Sequence, residues 1–268
     1  MSIRALGSYW PQDAEGRLLN PCQGEHLSPA ALALLAEVLG VYRDFGGRAL
    51  RGVYLRGSVA RGTAVAGVSD FDSFAVLEAH PAGPFRWQGL PVGEQQHQAW
   101  RQRYPDFSEV ELAVTSVLPT GEWHHPHVIP ILQFQSLRYW GQDFASTLPA
   151  HRPGPALARN YRWLAAAWDR LVRPPYPEPA EIRSIAKTIL RAGFEFVMMR
   201  EARFTLDLFP CYRSFAGHYP RWAPEMRRVL EFFLHPPHSG EAWESLALGL
   251  GQWMVEEARD LFPTPPEC

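Results

Sequence analysis

Lysine is nearly missing from this chain: of 26 basic residues among 268, only Lys187 is a lysine and the other 25 are arginine. Such a skew reflects a bias that has converted replaceable lysines, which singles out Lys187 as a position where a compact ammonium matters. Cysteine is scarce too. Cys22, Cys211 and Cys268 are odd in number, far apart and outside any C-x-x-C spacing. A disulfide framework and a zinc ribbon are both excluded, and a reducing, cytoplasmic setting is expected. No uninterrupted apolar run reaches the roughly 18 residues a membrane helix needs, and no basic segment followed by an apolar stretch opens the chain, so neither a membrane partner nor secretion is expected. An excess of positive charge is also lacking. The net charge is −2, with 11 basic against 14 acidic residues up to position 150 and 15 against 14 beyond it. Nucleic acid is therefore not an expected partner.

What is present is core material. Apolar residues make up 46% and aromatics 13%, enough to offset chain entropy in one large domain or two ordinary ones. Residues 1–27 mix Gly, Pro, Asn and polar side chains and are expected to be an irregular lead-in that packs through Tyr9 and Trp10. Ser28-Pro29 followed by apolar repeats at helical spacing predicts a helix over 29–45, stopped by Gly46-Gly47. The segments ALRGVYLRG, VSDFDSFAVLE and EVELAVTSVL alternate or run apolar as strands do, the last covering 109–118. A short helix ending near Tyr104-Pro105 falls between the last two. The stretch Ile129 to Leu132 suits a strand or a helix, and SLRYWGQDF follows it. Pro149, Pro153 and Pro155 mark a boundary. Beyond it three segments, 156–172, 181–202 and 241–262, have helical periodicity, separated by PPYPEP and HPPHSG breakers. The expected organisation is α+β: a small mixed sheet with helices on one face over 1–150, then an all-α helical bundle over 151–268.

The chemistry lies in Leu55-Arg56-Gly57-Ser58-Val59-Ala60-Arg61-Gly62 and, seven residues later, Asp70-Phe71-Asp72. Side chains alternate along a strand, so Asp70 and Asp72 project from one face and repel each other unless a cation is shared. Oxygen-only ligands on a strand suit Mg²⁺ or Mn²⁺. Gly57-Ser58 ends a strand and opens a turn, where backbone N–H groups and a hydroxyl are placed to hold phosphate oxygens, with Arg61 as a further charge-assisted contact. A third acid comes from the later strand. Glu109 and Glu111 share one face there, and Glu111 is favoured as the deeper of the two.

In their order, spacing and strand context, these residues resemble the DNA polymerase β-like nucleotidyltransferase superfamily. G-S-V-A-R-G with S-D-F-D is especially similar to minimal nucleotidyltransferases and aminoglycoside adenylyltransferases, over about residues 28–145. The resemblance implies a polymerase β-like fold with Gly57 and Ser58 on the triphosphate of ATP or another NTP. It places Asp70 and Asp72 on metal, with two Mg²⁺ ions (or Mn²⁺), and Glu111 as metal ligand or base. A lysine of the helical domain reaches the triphosphate in similar enzymes, which implies that role for Lys187. The expected reaction moves a nucleoside monophosphate, AMP in the first instance, onto a hydroxyl of a small-molecule or protein acceptor, releasing pyrophosphate. The alternative is an antitoxin-like or regulatory binding module of the same fold.

Other signals carry less. In Trp123-His124-His125-Pro126-His127 the proline breaks any helical ligand spacing, so a loop is expected. Arg213 and His218 match the Arg-x4-His spacing of HEPN-type ribonucleases, but Gly217 and Pro220 weaken the helix that it needs. Phe194 to Met199 is expected to be helical core. Glu195, Glu201 and Asp207 are the candidate acids for an acceptor site in the helical domain, with 203–208 either at that site or a plain interhelical turn.

Overall fold

A computed structural model describes residues 5–79, 88–123, 128–173, 177–237 and 240–262. The chain divides into two compact units: Leu19–His151, and a second made of Arg152 onward together with the first 18 residues. The sheet-bearing unit therefore begins at Leu19, and the lead-in groups with the helices rather than with the sheet.

In the sheet unit, α1 (Pro29–Gly46) starts where Ser28 Oγ accepts the Ala31 N–H at 3.1 Å and proline takes the first helical position, as the sequence predicts. There follow β1 (Leu50–Arg56), the single-turn α2 (Gly57–Ala60), β2 (Phe71–Glu78), β3 (Gln88–Gly89), α3 (Glu94–Arg103), β4 (Val110–Val117), α4 (Val128–Phe134) and β5 (Ser136–Gly141). Among the described residues the strands form one mixed sheet in the order β3-β4-β2-β1-β5, in which β2 and β4 run parallel and the other pairs antiparallel. One face, through Val53, Leu55, Ala75, Leu77, Leu112 and Val114, packs on Leu34, Leu35 and Val38 of α1 and Trp100 of α3. Glu37 of α1 ties α3 down, accepting from Trp100 Nε1 at 2.9 Å and Tyr104 OH at 2.6 Å. The other face is not bare. Tyr54, Phe74, Val76 and Ala113 pack on Val128, Ile131 and Leu132 of α4 and on Phe144. This corrects the expectation of helices on one face, and it resolves Ile129–Leu132 as helix.

The second unit holds α5 (Asn160–Leu171), α6 (Pro179–Glu195), α7 (Met198–Glu201), α8 (Leu208–His218), α9 (Ala223–Leu234), α10 (Gly240–Leu246) and α11 (Gln252–Leu261), with a π-helical turn at Ala247–Gly251 joining the last two. Two of these helices, α8 and α9, fall where the sequence shows proline and glycine. Pro210 is the third residue of α8 and Pro224 the second of α9, positions whose N–H has no intrahelical partner to lose. Gly217 sits in the last turn of α8, so the helix through Arg213 and His218 does form. Gly251 is required by close approach, since a Cβ there would collide with the Trp168 ring of α5. The lead-in is stitched to the segment after α7: Trp10 N–H donates to Phe204 O at 2.8 Å, Thr205 Oγ1 to Ser8 O at 2.8 Å, and Ser8 N–H to Asp207 Oδ2 at 3.0 Å. Phe194, Phe196, Val197 and Met198 are buried, as expected of core, whereas Met199 is 41% exposed and residues 196–197 break the helix. Among the described residues no helix is long and apolar enough to cross a membrane.

Glu195 overturns its expected role as an acceptor-site acid. It is 3% exposed and caps α5, accepting from Arg159 N at 2.8 Å, Asn160 N at 2.9 Å, Asn160 Nδ2 at 2.6 Å and Tyr161 N at 2.9 Å. Burial pushes its pKa up, and these donors pull against that shift. Glu195→Ala leaves buried N–H groups without acceptors and is expected to lose about 3–5 kcal/mol, with Glu195→Gln losing less. Urea unfolding of the three proteins checks the order.

Candidate active site

The site is built at one end of the sheet, on the face that carries Tyr54 and Phe74. Strand register puts Arg56 of β1 opposite Asp72 of β2, and Asp72 opposite Glu111 of β4. Three charged side chains thus stand in one row across neighbouring strands. Arg56 Nη2 donates to Asp72 Oδ1 at 3.1 Å and lies 3.9 Å from Glu111 Oε2, so a single guanidinium faces both carboxylates. Glu111 is pushed up to about 7, first by burial, then by the negative charge of Asp72 and a hydrogen bond with it; Arg56 opposes the shift and Asp70 adds to it.

Asp70 stands just ahead of β2. Ser108 Oγ donates to its Oδ1 at 2.6 Å, and Ser108 N–H pairs with Ser69 O at 3.1 Å, so the approach to β4 fixes this carboxylate. Glu109 is exposed and precedes β4. Its backbone oxygen receives the Phe71 N–H at 2.8 Å, while its side chain has no place in the Arg56–Asp72–Glu111 row.

Gly57 follows Arg56 directly with φ +78°, and a Cβ there would lie 2.5 Å from Asp72 Oδ2. Both the backbone conformation and the closeness of the carboxylate demand glycine. Ser58 is the second residue of α2, half-buried, and its hydroxyl has no hydrogen-bond partner among the described residues. Thr63 N–H closes the turn onto Ser58 O at 2.9 Å. Arg61 folds back over the turn, its Nε 3.4 Å from Gly57 O.

Gly57, Ser58, Arg61, Asp70, Asp72 and Glu111 therefore all belong to the sheet unit, around the ends of β1, β2 and β4. Lys187 lies on α6 of the other unit, half-buried and without an ion-pair partner among the described residues. His124, His125 and His127 lie outside the described residues. Among the described residues no three His, Cys, Asp or Glu side chains are gathered into a metal cage. The donors of Asp70, Asp72 and Glu111 are all oxygen, the chemistry that suits a hard divalent cation, and the raised Glu111 pKa reflects burial first and the neighbouring charge of Asp72 second. Sequence reasoning missed Arg56 and Ser108. Arg56 had a signal, its alternation parity, which places it on the same strand face as Tyr54.

No protein-family model matches the chain, and no curated protein sequence matches it. Among solved structures it is similar to the spectinomycin adenyltransferase AAD(9) from Enterococcus faecialis, crystallised with ATP and spectinomycin, at 13% identity and a TM-score of 0.48, over 82% of this chain and 97% of that one.

Gly57→Ala combines a left-handed conformation with a clash against Asp72, and is expected to destabilise the protein by about 1–3 kcal/mol and to displace that carboxylate. Thermal melts of wild type and variant check it. The second prediction concerns pH. A carboxyl whose folded pKa lies above its unfolded value of 4.5 contributes stability that is full below 4.5 and lost as pH rises toward about 7. In metal-free protein Glu111→Gln should remove that decline, so its urea midpoint should gain on wild type between pH 4.5 and 7 and not below.

Proposed function

We propose that the protein is a divalent-metal-dependent nucleotidyltransferase, moving a nucleoside monophosphate, AMP from ATP in the first instance, onto a hydroxyl of a small-molecule or protein acceptor with release of pyrophosphate. The observation that carries this reading is the row of Asp72 and Glu111 beside Asp70, set directly against a Gly57-Ser58 turn with positive φ. Acids alone bind cations and a glycine turn alone is common; their juxtaposition is what phosphoryl transfer requires.

In this reading Asp70, Asp72 and Glu111 hold the magnesium ions, whose chemistry is to neutralise charge on the phosphates and to acidify the acceptor hydroxyl. Ser58 and the backbone of the Gly57 turn orient the triphosphate, and Arg61 adds charge beside them. Glu111, already near neutral pKa without metal, is suited to take the acceptor's proton if it is not itself a ligand. Lys187 is assigned to the outer phosphates, supported by its half-burial without an ion-pair partner among the described residues. Arg56 must release Asp72 and Glu111 for the cations to bind. That same ion pair favours the second reading, a binding module of this fold in which an internal arginine has replaced the metal.

The deciding experiment is turnover with labelled ATP, GTP, CTP and UTP, with Mg²⁺ or Mn²⁺, against a panel of hydroxyl acceptors. Asp72→Asn should abolish transfer, and Glu111→Gln should lose far more than Glu109→Gln. Lys187→Arg should raise the KM for the triphosphate about ten- to a hundredfold, the worth of a charge-assisted phosphate contact. No turnover with any of the four nucleotides, alongside metal binding unaffected by Asp72→Asn, would leave the binding module standing.

A further inference from the structure

The helical unit has a cavity of its own, of about 500 Å³, lined by Tyr9, Glu201, Arg203, Arg213, Ser214, Gly217 and His218. Ligand pockets for small molecules span roughly 300–1,000 Å³. Several arginines among the described residues are paired with carboxylates, as Arg17 is with Asp13 and Arg227 with Glu231. The two arginines here are not. Arg203 lies over the Tyr9 ring, 5.1 Å from its centroid, and neither it nor Arg213 has an ion-pair partner among the described residues.

The carboxylate in the cavity is already engaged. Glu201 accepts from Ser214 Oγ at 3.0 Å and faces His218 Nε2 at 3.4 Å, while Tyr9 OH and Ser214 Oγ share a hydrogen bond of 2.6 Å. Glu201 thus orients His218 and the hydroxyl pair, and the two guanidiniums leave the cavity positive. Its rim is held at a conformational cost. Ala202, between Glu201 and Arg203, is the one non-glycine residue with positive φ among those described, at φ 50° and ψ 36°. Gln12 Nε2 braces it by donating to Ala202 O at 2.9 Å. Backbone strain of this kind persists where surrounding structure enforces it, and here it sets two charged side chains on the lip of one cavity. The lead-in supplies both the brace and, through Tyr9, one wall.

We propose that this cavity is a binding site for a phosphate-bearing small molecule, with Arg203 and Arg213 on the phosphate oxygens and His218 as a further donor. A phosphoryl group offers several oxygens and up to two charges to two separate guanidiniums, which a single carboxylate does not. The proposal rests on the helical unit alone and is independent of the nucleotidyl-transfer reading.

The test is calorimetric titration of the full chain with pyrophosphate, without divalent ions. Saturable binding is expected, weakened about tenfold or more by Arg203→Ala or Arg213→Ala and weakened by salt. Gly217→Glu is a second variant: a Cβ at this position meets nothing within 4 Å, so the fold should hold while a carboxylate enters the cavity and abolishes binding. Displacement of pyrophosphate by ATP would identify a nucleotide as the phosphate source, and displacement by a sugar phosphate but not by ATP would identify a separate ligand. Three results overturn the proposal: no binding to wild type, binding indifferent to both arginines, or citrate binding as tightly through the same arginines.

Discussion

The parallel pairing of β2 with β4 is the constraint on which the sheet unit turns, because its register sets Asp72 beside Glu111. Two carboxylates on adjacent strands repel, and the sheet keeps them together only by adding charge of the other sign. Arg56, opposite Asp72 on the antiparallel neighbour β1, supplies it. Burial raises the Glu111 pKa first and the charge of Asp72 adds to it, so that with Arg56 opposing both it still sits near 7. Around this row the geometry is tight: Gly57 has no side chain because Asp72 Oδ2 occupies the space, and Ser108 reaches across to hold Asp70. The apolar faces beneath, Tyr54 with Phe74 on one side and Leu55 with Ala75 on the other, are packed on helices and leave the strand ends little freedom to relieve the repulsion.

The helical unit handles its buried charge differently. Glu195 lies inside the unit and is kept there by N–H groups of the first residues of α5, which otherwise lack partners. The acid thus becomes a structural cap, and α6 ends at Glu195, with the short α7 starting at Met198. A few residues on, Glu201 is shared between a hydroxyl and a histidine at the edge of a cavity instead. Similar side chains close together in sequence therefore have separate uses, decided by what each helix end leaves unsatisfied.

Much of the sheet unit was legible in the sequence. The Ser28-Pro29 start of α1, the apolar alternation of β1, β2 and β4, and the spacing from Gly57-Ser58 to Asp70 and Asp72 are local signals, carried by periodicity and by residue types with few other uses. The helical unit was less so. Helices α8 and α9 lie outside the three segments with helical periodicity, and each carries a proline, at 210 and 224, whose cost depends on where the helix begins. Residues 196–197, predicted as continuous helix, interrupt it, while the cap made by Glu195 joins residues 35 positions apart and has no local signature.

The sequence alone determined the ingredients of the candidate site: acids at 70, 72, 109 and 111, with Gly57-Ser58 ahead of them. Only the tertiary structure decided which acid stands with Asp72. Glu109 and Glu111 have the same parity and are equivalent by alternation, and it is the parallel register with β2, a contact between strands some 40 residues apart, that pairs Glu111 with Asp72 and leaves Glu109 outside. The same holds for Arg56, one arginine among 25 until β1 is laid against β2, and for Tyr9 and Arg213, which meet at one cavity only because the lead-in folds back onto the helices. Periodicity is a property of neighbours along the chain, whereas a site is made by neighbours across it.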